Sequence, residues 1–204
     1  MRLPAIPGLQ VQPRLAELAA AEAIVIVGAT CVGKTTLTDA VRRAAIAGVE
    51  VPVRYITRPA RPDDTSDNVH VAAMEFARLV EIGSICVRWS RTLRRTEHYG
   101  FAATSVLPVY SANDSIYGGS LEPAGALDRA LLVGIHAPDE VRALRLRTRS
   151  PELWRDHPGE ARLRLAEPAD AMLPHVHAVI ENTERVVAER ALLELVTVLA
   201  SARP

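Results

Sequence analysis

The sequence predicts an α/β fold of three layers, with helices on both sides of a parallel central sheet. Three observations predict it. Short apolar runs at 24–27, 106–111, 131–136 and 176–180 alternate with helical patterns, the rhythm of parallel strands joined by crossover helices. The first run leads directly into a glycine-containing segment, GATCVGKTT (28–36), and a helical pattern follows it. The last run is followed by an amphipathic pattern over 186–200.

Composition sets the bounds. With 204 residues, 49 % of them hydrophobic and 24 % charged, the chain suits one domain with a small inserted lobe and can bury a good core. The formal net charge is zero, so wholesale attraction to a nucleic acid polymer or an anionic membrane is not expected. The arginines nevertheless gather at 54–61, 88–95, 142–149 and 162–164, which points to local anion sites. Two cysteines, Cys31 and Cys86, are too few for a disulfide scaffold and read as free thiols. Glu17 and Glu22 interrupt the one candidate apolar span, and no signal-peptide core is present. A soluble, cytoplasmic protein is expected.

The elements follow in order. Residues 1–22, rich in Pro and Ala, read as an arm with a short helix over 13–21. The run 24–27 is a buried strand. The helix after it spans about 33–47, with Leu37, Ala40, Val41 and Ala44 on one face. A strand is expected at 51–57, a polar loop at 59–68, a helix at 73–82 and a strand at 85–90. The stretch 91–100 is polar and basic. After the strands at 106–111 and 131–136, Pro138, Asp139 and Glu140 open a helix, as proline and acids suit a first turn. Around Pro151 and Pro158 the stretch 147–160 looks loop-like. A last strand at 176–180 precedes the closing helix.

The segment GATCVGKT matches G-x-x-x-x-G-K-[ST] between a strand and a helix, the context that a phosphate-binding loop requires. Gly28 and Gly33 let the backbone curl, so that N–H groups along Ala29, Thr30, Cys31, Val32 and on to Thr36 can face phosphate oxygens. The helix N-terminus adds positive charge. Lys34 reaches the β- and γ-phosphates, and the Thr35 hydroxyl ligates Mg²⁺; ATP is the expected donor. The chain carries 23 arginines and this one lysine. A planar guanidinium cannot replace a compact ammonium on a flexible stem inside a tight loop.

Other P-loop classes fit less well. A GTPase needs N-K-x-D, which a chain with one lysine at 34 lacks. LLVGIHAPDE (131–140) looks like a strand ending in two acids, but those acids start a helix. His175 and His177 alternate as two metal ligands would, without a third ligand near them, and read as surface histidines.

The remaining segments resemble the guanylate kinase family, including its ribose 1,5-bisphosphate phosphokinase branch. RYITRPARP (54–62) is similar to the family's T-T-R-x-x-R-P, DNVHVAAMEFARLVEIG (67–83) to its segment through E-F to a glycine, and EHYGF (97–101) to its Y-Y-G. RLRTR (145–149) resembles the lid motif R-L-x-x-R, RLRLAEPAD (162–170) the R-L-x-x-A after it, and VIENTE (179–184) the strand ending in Asn beside the adenine. The matches run in order from about 24 to 200.

The resemblance implies a P-loop NTPase fold with an inserted acceptor-binding lobe at about 57–105 and an Arg-rich lid at about 145–165, within a kinase domain at 23–204. It implies that Arg58 and Arg61 grip the acceptor's phosphate, with Tyr99 beside them, and that Asn182 lies by the adenine. Arg145, Arg149 and Arg162 would stabilise the moving charge. Arg145 and Arg149 are also i, i+4 neighbours able to share one anion. Where the family has a guanine-reading glutamate this chain has Arg88, and where it has a tyrosine, Asn68. Its D-x-D is represented by SANDS (111–115), with Asp114 left to orient the nucleophile and Asn113 and Ser115 as in the ribose-bisphosphate branch.

The expectation is an ATP- and Mg²⁺-dependent kinase. Its acceptor is a small phosphorylated sugar, or a nucleoside or nucleotide, with ribose 1,5-bisphosphate ahead of GMP. A non-catalytic guanylate-kinase-like interaction module is the rival class, and a homodimer is compatible with the sequence.

Overall fold

The computed structural model describes residues 6–60, 64, 68–92, 96–112, 122–123, 127–166 and 175–202. Its main sheet contains β1 (Leu9–Val11), β2 (Ala23–Val27), β3 (Val49–Glu50), β8 (Leu107–Ser111), β9 (Ala130–His136) and β10 (Ala178–Glu181), in the order β1-β10-β9-β2-β8-β3. All neighbours are parallel except β1, which runs antiparallel to β10. The segment read as an arm therefore supplies an edge strand, and Ile6 and Leu18 enter the core. Helix α1 spans Leu15–Ala20.

Strand β2 lies between β9 and β8, every residue of it buried. Its even residues, Ile24 and Ile26, pack with Leu37 and Val41 of α2 (Lys34–Ala44) and with Leu192, Leu195 and Leu199 of α7 (Arg185–Ser201). Its odd residues, Ala23, Val25 and Val27, pack against Val87, Trp89 and Phe101 on the other face. Alternation along one strand thus builds both interfaces of a three-layer molecule.

The second set of apolar residues belongs to the inserted lobe, a four-stranded sheet ordered β5-β4-β7-β6 with α3 (Ala73–Glu81) beside it. Its strands are β4 (Arg54–Ile56), β5 (Asn68–His70), β6 (Ile85–Thr92) and β7 (Thr96–Ala102). Two expectations change here. The strand expected at 51–57 is shorter, β4 at Arg54–Ile56, and Pro52, which cannot donate to a ladder, separates it from β3 of the main sheet. Of the polar stretch 91–100, the described residues 91–92 and 96–100 are strand, paired between β6 and β7 and with β4.

A third change concerns 147–160. Helix α4 (Asp139–Arg149) is followed by α5 (Pro151–Asp156) and α6 (Pro158–Leu165), each with proline in its first turn. Proline starts these helices, because its missing N–H is one that the first turn leaves unpaired anyway. His177 precedes β10, and its Nδ1 accepts from the Leu132 N–H at 2.9 Å, which extends the ladder. Among the described residues no helix is long and apolar enough to cross a membrane. Both cysteines are free.

Candidate active site

The loop after β2 is shaped by positive φ at Gly28 (148°), Cys31 (65°) and Gly33 (101°). A Cβ on Gly28 would lie 2.5 Å from the Ile135 carbonyl oxygen, and one on Gly33 2.2 Å from Asn182 Nδ2. Glycine is needed at both positions for conformation and for space.

The outer side of the loop is held by arginines of α4. Arg142 is fully buried. Its Nε donates to the Thr30 carbonyl at 2.9 Å, and its Nη1 to Asp139 at 2.8 Å. One turn on, Arg145 donates from Nη1 to the Val32 carbonyl at 3.1 Å and from Nη2 to the Asn182 carbonyl at 2.6 Å. Burial lowers its pKa. In a trans peptide the N–H points opposite to the C=O. With the carbonyls of Thr30 and Val32 turned to the guanidinium groups, the N–H groups of Cys31 and Gly33 point away from them. Helix α2 has no side-chain cap, so its first-turn N–H groups add to the donors available to an anion. Lys34 Nζ donates to the carbonyls of Gly28, at 2.5 Å, and Ala29, at 2.9 Å, and so bridges the base of the loop. Thr35 and Thr36 follow in the first turn, both half-buried.

Asn182 is 2 % exposed. Its Nδ2 donates to the Val32 carbonyl at 2.6 Å, while its Oδ1 is a buried acceptor without a hydrogen-bond partner. An orphaned acceptor beside a phosphate-binding loop suits the N–H groups of a nucleotide base. The residues present therefore fit ATP. They also fit Mg²⁺, which takes few protein ligands and prefers hard oxygens; the Thr35 hydroxyl is one. Among the described residues no cluster of three His, Cys, Asp or Glu offers a different metal site.

The structure separates the lid arginines predicted as one group. Arg145 reaches the loop, whereas Arg149 on α4 and Arg162 on α6 are exposed. Arg142, which the sequence reading passed over, also holds the loop, through the Thr30 carbonyl. Its signal was present as an arginine three residues before Arg145, on the same helix face.

In the lobe, Arg58 is 9 % exposed and is bound by the Asp64 carboxylate through both Nη atoms. That hydrogen bond raises its pKa against the opposing effect of burial. Tyr99 donates its hydroxyl to Glu97 at 2.6 Å, and its pKa is raised first by burial and then by this bond. Glu97 is itself buried, at 8 %. The Asn68 Oδ1 accepts from Arg54 Nε at 2.9 Å, and Arg54 Nη1 donates to the Ser111 carbonyl at 3.0 Å. Arg54 thus ties the lobe to the C-terminal end of β8. This is the same sheet edge from which the phosphate-binding loop leaves β2, the edge where α/β folds bind ligands. Sequence reasoning missed Arg54, Asp64 and Glu97.

Arg88 is not brought to Tyr99. In the β6–β7 ladder Arg88 lies opposite Gly100, and Trp89 opposite Tyr99. Neighbouring positions face opposite sides of a sheet, so Arg88 points away from Tyr99. It pairs instead with Glu122 and lines a cleft of about 320 Å³ with Phe76, Ser90 and His98. Residues on the Tyr99 face include Glu97, Trp89 and Phe101, with Val87 opposite Phe101. Arg61, Asn113, Asp114 and Ser115 lie outside the described residues, as do Arg94 and Arg95.

No family model matches the chain. Ribose 1,5-bisphosphate phosphokinase PhnN of Pseudofrankia inefficax is 33 % identical to it over 163 residues, which cover 78 % of this chain and 81 % of the relative. Guanylate kinase of Anaplasma phagocytophilum is similar in structure, with a TM-score of 0.50 at 15 % identity, covering 95 % of this chain and 87 % of that one. The structural likeness speaks for the three-layer P-loop fold. With the sequence relationship beside it, the chain belongs to the guanylate kinase-like P-loop kinases, the family of the ribose 1,5-bisphosphate phosphokinase that it matches.

Proposed function

We propose that the chain is an ATP- and Mg²⁺-dependent kinase that phosphorylates a small phosphorylated sugar of the ribose 1,5-bisphosphate type. The observation that carries this is the pairing of two anion sites on one sheet edge: a loop whose outward carbonyls are held by Arg142 and Arg145, and a lobe site built around Arg58. The first suits the donor's polyphosphate and the second the acceptor's phosphate. The similarity to a ribose 1,5-bisphosphate phosphokinase favours the sugar.

In this reading Asn182 and Arg145 hold the adenosine end of ATP, and the N–H groups of 29–36 hold its phosphates. Lys34 moves from the Gly28 and Ala29 carbonyls to the β- and γ-phosphates. Bound at the Thr35 hydroxyl, Mg²⁺ supplies charge neutralisation across those phosphates. Arg58 and Tyr99, with Arg61 and Asn68, orient the acceptor, and Asp114 with Asn113 and Ser115 guides its attacking oxygen. The new P–O bond forms in line as the β–γ bridging bond breaks, and ADP leaves. Arg149 and Arg162 close over the transferring group, where added positive charge counts most.

GMP is the weaker acceptor. On the Tyr99 face, Val87, Trp89 and Phe101 are apolar and buried, and Glu97 is engaged by the Tyr99 hydroxyl. Guanine's N–H groups would have to share Glu97 with the Tyr99 hydroxyl, and any left unpaired there would cost about 1–3 kcal/mol. A coupled ADP-release assay with ribose 1,5-bisphosphate, GMP and a panel of nucleotides tests the reading. Turnover of GMP at kcat/KM above about 10⁴ M⁻¹s⁻¹, without turnover of the sugar, would replace it with a plain guanylate kinase. Turnover of no acceptor would leave the interaction module.

A further inference from the structure

Arg58 and His70 converge on one carboxylate. Arg58 Nη1 donates to Asp64 Oδ2 at 2.7 Å, and Nη2 to Oδ1. On the other side, His70 Nε2 lies 3.0 Å from the same Oδ2. That nitrogen is buried, yet it makes no aligned hydrogen bond. The ring cannot turn away to find one, because Nδ1 is 2.8 Å from the Arg58 carbonyl, an oxygen that only accepts and so fixes a proton on Nδ1.

The mismatch has a geometric cause. A carboxylate has two oxygens in one plane, and the guanidinium fork takes both. A phosphate monoester has three terminal oxygens in a tetrahedral arrangement, enough for the fork and for His70 Nε2 together, which donates when the ring carries a proton on both nitrogens. Asp64 therefore fills a place that a phosphate would fill better.

We propose that Arg58 and His70 form a two-pronged clamp for the acceptor's phosphate, and that the Asp64 carboxylate occupies the clamp until that phosphate displaces it. The proposal rests on the reading that this lobe binds the acceptor. It makes Asp64 a specificity-determining residue. A neutral analogue lacks the charge to displace a tethered carboxylate, and a carboxylate analogue would meet His70 no better than Asp64 does, so both are disfavoured against a dianionic phosphate.

Calorimetric titration with inorganic phosphate tests this. The donor site is first saturated with Mg²⁺ and a non-hydrolysable ATP analogue, so that only the lobe reports. Asp64→Asn should bind phosphate roughly tenfold more tightly than the wild type, since a like charge has been removed next to the anion. Adding His70→Ala to Asp64→Asn should cancel most of that gain. Equal or weaker binding by Asp64→Asn would overturn the proposal, and so would a gain that survives the loss of His70. Asp64→Ser, with thermal unfolding of each variant, guards against a fold defect in the first substitution. If ribose 1,5-bisphosphate is not phosphorylated in the ADP-release assay, the proposed acceptor falls while the phosphate titration still decides the clamp.

Discussion

Around the phosphate-binding loop, guanidinium groups hold backbone carbonyls: Arg142 takes Thr30, and Arg145 takes Val32 and Asn182. In the inserted lobe the guanidinium of Arg58 holds a side chain, Asp64, and Tyr99 holds another, Glu97. Backbone atoms can move only with the chain, so the loop is pre-shaped for its ligand. Side-chain partners can swing aside, so the lobe can exchange an internal anion for an external one. In the proposed function, the loop that would hold the donor is built for rigidity and the lobe that would hold the acceptor for exchange.

The largest expected effect tests the rigid end. Lys34→Ala should lower kcat on the order of 10²-fold or more while leaving thermal unfolding nearly unchanged, because the ammonium serves the loop and not the core. Lys34→Arg should fail as well, since a planar fork cannot settle between the Gly28 and Ala29 carbonyls. A fully active Lys34→Arg enzyme would break the argument.

Arg142→Met comes next. It keeps volume but leaves the Thr30 carbonyl without its Nε donor, which should cost about 1–3 kcal/mol of stability and loosen ATP binding. Chemical denaturation and equilibrium ATP binding measure both. Loss of stability with unchanged ATP affinity would show that the loop keeps its shape without the clamp.

The comparison sharpens with a pair of variants. Arg145→Ala should raise the KM for ATP about tenfold, and Arg58→Ala should raise the KM for the acceptor by a similar factor without changing ATP affinity, as expected when each contact binds one substrate. Equal effects of both on ATP would collapse the division into two ends.

The smallest effect lies at the sheet edge. Burial pushes the Glu181 pKa up, but hydrogen bonds from Thr183, His136 and Gln10 outweigh it and leave the group below its ordinary value. A carboxylate with a depressed folded pKa stabilises the fold above its unfolded pKa, and that contribution is lost as pH falls through the folded one. Glu181→Gln should therefore destabilise by less than about 1 kcal/mol at neutral pH and by nothing once pH is well below the folded pKa. Unfolding curves at neutral and strongly acidic pH would check this, and a constant difference between the two would count against it.

Much of the loop after β2 was legible in the sequence because its instructions are local. Gly28, Gly33 and Lys34 lie within seven residues, between a strand and a helix that hydrophobic pattern marks out, and turn geometry demands those residue types there. The helices at 151–165 were hidden because proline both ends and begins helices, and only the packed chain shows which it does. The inserted lobe was decided by tertiary structure. Whether Arg88 faces Tyr99 depends on the register of the β6–β7 ladder, and a shift of one residue turns every side chain to the other face. Whether Arg58 meets a ligand or Asp64, and whether Arg142 is a surface charge or the buried support of Thr30, depends on contacts between segments from 6 to 112 residues apart. Local pattern carries backbone conformation and the one lysine that serves it. Which charges become partners is set by distance in space, and that emerges only when the layers pack.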